Sequence, residues 1–325
     1  MKIMNQKLLR WVGIALCTVP TMAAAAWPSD QPISMIIAYA PGGGTDIIAR
    51  SIVPFIEASL GDGAKITILN RPGAGGDIGF AAIAAAQPDG YTIGFVNTPP
   101  VLTIPIERKA SYTWQSFDVL GNVVDDPGTF CVHTDNPIKT LADLATFARA
   151  NPRSVSVGTT GVGSDDHLAM LMFERSAGAR VTHVPFKGSS ETRTAITGKH
   201  ITVAAINVGE ALQYLKGGSP LRCLGQMTAT RLSMASDWPT FIEQGHNFEM
   251  ASLRGIVAPR GLPVAVRERL VNAIGRAVAT QAFKESAERA FAPVRYLAPA
   301  AYEAELRSGD TTFRALWKEL PWTDK

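Results

Sequence analysis

Cysteine, histidine and surplus positive charge are all scarce in this chain of 325 residues, which holds three cysteines, five histidines and a formal net charge of +3. Cys17 lies in an N-terminal apolar run, so Cys131 and Cys223 are too few for a cysteine zinc site or a disulfide framework. His167 has Asp166 beside it but no second His or Cys at ligand spacing, which argues against a metal. Residues 1–26 hold Lys2, Lys7 and Arg10 and no acidic residue, so their removal brings the formal balance to zero. No basic excess remains to draw nucleic acid. The run from Trp11 to Val19 falls short of the roughly 20 apolar residues a membrane span needs, and no later run approaches it. The Gly-x-Ser-x-Gly elbow of serine hydrolases is absent, as is the Gly-Lys-Ser/Thr ending of a phosphate-binding loop.

What the chain does have begins with an export signal. A basic start, the apolar stretch to Val19 and the small-residue end Thr21-Met22-Ala23-Ala24-Ala25-Ala26 read as a secretory signal peptide over 1–26, cut near Ala26. Cys17 sits inside the apolar stretch and not at a mature start, so the pattern gives no lipid anchor. The roughly 300 residues that follow exceed one typical domain and can bury two cores. Strand-like runs alternate with helix-like runs throughout, for example Lys65–Leu69, Tyr91–Val96, Ser154–Val157 and Ile201–Ile206 against Leu141–Ala150, Asp165–Ala177 and Val264–Ala279. This predicts an α/β protein with mostly parallel sheets. No low-complexity linker separates two lobes, so the crossings must be strands or short hinges. They are placed near Val123–Val124 and Gln226–Met227, which gives lobe 1 as 27–123 and 227–325 and lobe 2 as 124–226. An oxidising compartment permits a bond between Cys131 and Cys223, but two separately buried thiols fit the sequence as well.

Three glycine-bearing loops lie where a strand feeds a helix. The first, Ala40-Pro41-Gly42-Gly43-Gly44-Thr45-Asp46, joins a buried strand from Ile33 to a helix ending near Leu60. The others are Asn70-Arg71-Pro72-Gly73-Ala74-Gly75-Gly76 and Gly158-Thr159-Thr160-Gly161-Val162-Gly163-Ser164. Free backbone N–H groups and the positive end of a helix can hold a carboxylate at such a turn. Each loop could equally be only a tight turn, and Thr45 only a cap. Pro54 inside the first helix predicts a kink or an early stop.

These loops, together with Trp27-Pro28, Pro88-Asp89-Gly90-Tyr91-Thr92, His183-Val184-Pro185-Phe186-Lys187-Gly188 and Ala258-Pro259-Arg260-Gly261-Leu262-Pro263, occur in an order that resembles the Bug-type, TctC-like solute-binding receptors of tripartite tricarboxylate transporters. The resemblance runs over nearly the whole mature chain. It implies a two-lobed, Venus-flytrap periplasmic-binding-protein fold of type II with a hinge of crossing strands. It also implies a periplasmic monomer that captures an organic carboxylate (di- or tricarboxylate or aromatic acid) and delivers it to membrane subunits, with no catalysis and no cofactor. The carried-over ligand groups are Pro41, Gly42, Gly43, Gly44 and Thr45, then Gly73, Ala74, Gly75 and Gly76, then Asn97 after a strand. In lobe 2 they are Thr159, Thr160, Gly161 and Ser164, with Lys187 as a counter-charge and Asn207 at a strand end. Arg254 stands where such receptors often have an aromatic residue and could fork onto a far carboxylate. Asp165 and Asp166 depart from the small polar residues usual there; they are expected to face outward as partners of the helix dipole. Ser189 and Ser190 compete with Lys187 for the anion. Two rival readings stay open: a carboxylate-sensing protein with the same cleft, and a secreted hydrolase built on Ser164 and His167, which sit too close on one helix to form a triad.

Overall fold

The computed structural model describes residues 27–323, so the signal-peptide reading lies outside the described residues. Strand β1 (Ile33–Ile37) reads as a continuous apolar run because both its faces are covered. Ile33, Met35 and Ile37 pack with Ile48, Ile52 and Ile56 of helix α1 (Gly44–Leu60), while Ile36 packs on the other face with Phe80 and Tyr112. It pairs in parallel with β2 (Ile66–Asn70) and β3 (Thr92–Thr98). Helix α1 runs unbroken through Pro54, against the expected stop. Arg50 and Pro54 are both exposed, so solvent can take the carbonyl that proline leaves unpaired.

Helices α2 (Asp77–Ala84) and α3 (Pro100–Glu107) follow, and then β4 (Phe117–His133), a single strand of 17 residues. Its first half pairs antiparallel with β9 (Ala251–Pro259) and β10 (Val294–Leu297). Its second half pairs antiparallel with β7 (Val203–Asn207) and β8 (Leu221–Gln226). The register with β9 shifts between Val119 and Gly121 and again between Asn122 and Val124. Such irregularities bend a strand, and the second of them spans Val123. Beyond it, β5 (Ser156–Thr159) pairs in parallel with β6 (Thr182–Pro185) and β7. The sheets are thus mixed: strands joined through helices run parallel, and the crossing strands β4 and β9 run antiparallel to their neighbours.

The second half packs Phe130, Phe173, Val203 and Phe241 into its own core, covered by α4 (Leu141–Ala150) and α5 (Asp165–Ala177). Helices α6 (Ser189–Thr197) and α7 (Val208–Lys216) cover the other face. The segment after β8, assigned to lobe 1 from sequence, packs Met227, Phe241 and Phe248 into this same core. Its anchor is Gln226, whose amide donates to the carbonyls of Ala235 and Trp238, so the chain returns only at β9. Helices α8 (Val264–Ala279), α9 (Gln281–Arg289) and α10 (Pro299–Glu319) close the first half, with Leu270 and Ile274 of α8 and Phe283 of α9 packed in the α1 core. Cys131 on β4 and Cys223 on β8 are register partners and form a disulfide.

Candidate functional site

Four helices begin at one point between the two halves. Helix α1 starts at Gly44, α5 at Asp165, α6 at Ser189 and α7 at Val208, and the residues at these starts line one cavity with Tyr39, Asn97, Thr160, Ser252 and Arg254. The cavity is small, about 20 Å3, room for about one water molecule. Each helix N-terminus carries about half a positive charge in unpaired N–H groups, so the junction is an anion trap before any side chain is counted.

Much of that potential is already answered from within. The carboxylate of Glu210, 6% exposed, accepts from Gly44 N–H at 2.9 Å through Oε1 and from Asn207 N–H at 3.1 Å through Oε2. Arg254 Nη2 lies 3.1 Å from Glu210 Oε1, 3.1 Å from Asp126 Oδ2 and 2.9 Å from Asn207 Oδ1. Asp126 Oδ1 takes Gly209 N–H at 2.9 Å. Asn207 Nδ2 donates to Asp165 Oδ2 at 2.7 Å and to the Asp126 carbonyl at 2.9 Å. A Cβ at Gly44 would lie 2.5 and 2.7 Å from the two Nη atoms of Arg254 and would also strike Glu210, so a side chain there would displace this ion pair.

Burial and mutual repulsion shape the titration of this cluster. Burial, opposed by Arg254 and aided by Glu210, pushes the Asp126 carboxyl up to about 7. Burial with Glu210 close by pushes Asp165 up to about 6, and burial with Asp165 beside it holds Asp166 well above the carboxylate range. The imidazole of His167, buried and stacked on His183 with centroids 4.0 Å apart, is pushed down to about 3 by burial first and by His183 second.

The sequence-derived site residues divide into three groups. Gly43, Gly44, Thr45, Asn97, Thr160, Asn207 and Arg254 line the cavity. Asn97 Nδ2 links Thr45 Oγ1 at 3.0 Å to Ser252 Oγ at 3.1 Å, which fixes three neutral groups around one side of it. A second group closes the cleft without lining it. Gly75 and Gly161 come so near that a Cβ on Gly161 would lie 2.7 Å from Gly75 Cα, and Thr103 Oγ1 donates to Gly163 O at 2.6 Å. Gly73, Ala74 and Gly76 belong to this loop, and the backbone N–H of Ala40 bonds Lys187 O at 3.2 Å.

The third group has other work. Pro41 and Gly42 are exposed, and Gly42 N–H donates to Asp46. Ser164 is the N-cap of α5, accepting from His167 N–H, and Thr159 Oγ1 pairs with His183 Nε2 at 2.7 Å. The Lys187 side chain is exposed and outside the cavity lining, so the expected counter-charge is not in place. Asp165 and Asp166 do not face outward: they are 4% and 2% exposed, Asp165 lining the cavity and Asp166 accepting from Thr160 Oγ1 at 2.7 Å. Asn207 Nδ2 satisfies one oxygen of Asp165, whereas Asp166 Oδ1 is buried without a hydrogen-bond partner, in keeping with its raised titration. Arg254 faces the cavity, yet two carboxylates already hold it.

Tyr39, Asp126, Glu210 and Ser252 were missed. Glu210 left a signal in Asn207-x-x-Glu210, a capping box that puts a carboxylate at the start of α7. Asp126 was hidden in Asp126-Pro127-Gly128, which reads as a turn and lies inside β4.

The model of the tripartite tricarboxylate transporter family receptor, TctC, matches residues 48–298. The chain is similar to a UPF0065 protein of Cupriavidus necator, 30% identical over 277 residues, 84% of this chain and 83% of that protein. Its fold is similar to the periplasmic binding protein BugD, with a TM-score of 0.83 at 28% identity, covering 89% of this chain and 97% of that one. It is also similar to R. palustris Rpa4515 with adipate, with a TM-score of 0.84 at 25% identity, covering 90% and 97%.

Proposed function

The chain belongs to the tripartite tricarboxylate transporter receptor family, whose members are binding receptors rather than enzymes, and from that premise we propose that it is a periplasmic receptor for an organic carboxylate. The single observation that carries the reading is the seat at Gly44. A carboxylate, that of Glu210, already rests there on a helix N–H, between two halves that each bring helix N-termini to the same cavity. Solved relatives support it, one of them described with adipate bound. The ligand enters when the halves part and adds contacts from both, which favours the closed form by as much as it binds that form better. As a monomer exported by its leader, the receptor hands the ligand to membrane subunits of its transporter.

A thermal-shift screen of mono-, di- and tricarboxylates and aromatic acids, followed by calorimetry, tests the reading. A ligand that binds the native state raises the melting temperature, and it should be recovered unchanged. No shift with any carboxylate would refute it.

A further inference from the structure

We propose that Glu210 is a specificity-determining residue that restricts the cleft to ligands carrying one carboxylate, with hydrogen-bond donors elsewhere, and turns away dicarboxylates. The proposal rests on the carboxylate-receptor reading and narrows it. A second carboxylate entering here meets the Glu210 carboxylate, which lines the cavity and is held there from both ends. Its Oε1 fills the Gly44 N–H at 2.9 Å and lies 3.1 Å from Arg254 Nη2, the nitrogen that Asp126 and Asn207 also approach, while Arg254 Nε is buried without a hydrogen-bond partner. The position is built in, because the capping box with Asn207 holds Glu210 at the start of α7 whether or not anything enters.

The groups left for a ligand are the hydroxyls of Thr45, Ser252 and Ser189, neutral donors suited to one carboxylate, with Asp165 as an acceptor for a hydrogen-bond donor on the ligand's other end. Around the cavity, Arg254 lies 3.1 Å from Asp126 and 3.1 Å from Glu210, Asp165 lines the same space, and four helix starts add about two positive charges. One more negative charge can be held by neutral donors. A second meets Glu210 and Asp165 at close range in a site shielded from solvent, where repulsion is strong.

Calorimetry on matched pairs, hexanoate with adipate and benzoate with terephthalate, tests this in the full mature chain and in Glu210→Gln, which keeps the capping-box bond to Asn207. The wild type should bind the monoacid of a pair at least tenfold tighter than the diacid. Glu210→Gln should gain at least tenfold for the diacid while the monoacid changes less than threefold. Asp165→Asn, which leaves Glu210 and its bonds untouched, should gain for the diacid in the same direction, and a melting curve of each variant confirms that it folds. Equal binding of both members by the wild type, or an equal gain for both in Glu210→Gln, overturns the proposal while leaving the receptor reading intact; the second result would make Glu210 a mere competitor. If no carboxylate of a wider panel binds wild type or variant, both readings fall.

Discussion

Replacing Arg254 by methionine removes the one cation lining the cavity among the described residues, and the structure fixes both the size of the effect and how it changes with pH. Arg254 is 3% exposed and lies 3.1 Å from a carboxylate oxygen of Asp126, which is 1% exposed, and 3.1 Å from one of Glu210. At an effective dielectric of about 20, each such attraction is worth about 4 kcal/mol before desolvation is subtracted. Removing one partner of a buried group of this kind costs about 3–5 kcal/mol, because the remaining carboxylates stay buried without it. The Asp126 carboxyl, raised to about 7 with Arg254 present, contributes stability that is full below the ordinary carboxylate range and lost as pH rises through about 7. Without the arginine it rises further, so the loss continues to higher pH. At pH 5 wild type and variant have lost the same amount; by pH 8 the variant has lost up to about 1.4 kcal/mol more, the one unit by which pH 8 exceeds the wild-type value of about 7. Urea unfolding at pH 5 and pH 8 measures both numbers. A penalty under about 1 kcal/mol, or one equal at the two pH values, would refute the account of a buried, charge-paired arginine.

The remaining predictions probe separate links. Asp165, raised to about 6, stabilises fully only below the ordinary carboxylate range and loses that stability as pH rises through about 6, so Asp165→Asn should gain on wild type by up to about 3 kcal/mol between pH 4 and 7; urea midpoints that keep a constant difference would disprove it. His167, held down to about 3, contributes stability that is present above the ordinary histidine range and lost as pH falls from about 6.5 toward 3. His167→Gln should therefore be less acid-sensitive than wild type in melts at pH 4 and pH 7, and an unchanged sensitivity would count against the buried neutral imidazole. The disulfide joins residues 92 apart, so Cys131→Ala with Cys223→Ala should lose roughly 4 kcal/mol by loop entropy, a midpoint shift readable in non-reducing urea. Gly161→Ala places a Cβ 2.7 Å from Gly75 Cα at a φ of +130°, so it should wedge the cleft and weaken carboxylate binding at least tenfold by calorimetry. Unchanged affinity would mean the two loops need not meet.

The fold was legible wherever local pattern and long-range packing agree. Helices α4, α5 and α8 begin and end at the residues their apolar spacing predicts, since each lays one stripe on a core. Helix α3 was not legible: Pro100 and Pro105 within eight residues argue against a helix, and its burial against α10 and the first sheet decides otherwise. The return of the chain at β9 rather than after Gln226 was hidden for a related reason. A run without regular structure from Met227 onward gives no periodicity, and only Phe241 and Phe248 in the second core show where it belongs.

The candidate site was legible as backbone and illegible as charge. Glycines at strand-to-helix turns mark where N–H groups are free, and the structure does gather Gly43, Gly44 and Thr45 with the starts of α5, α6 and α7. Asp165 and Asp166 were placed outside as partners of one helix dipole, which leaves out the other helix starts that meet it. Four converging helix starts supply about two positive charges of their own, and Arg254 a third, so buried carboxylates are what makes the junction tolerable when the halves close. That inverts the expected role of Arg254: it is the counter-ion of Asp126 and Glu210 first, and any ligand meets it only through them. Affinity in such a cleft should come from the neutral hydroxyls of Thr45 and Ser252, which Asn97 holds in place, and selectivity from the acids that stand behind them.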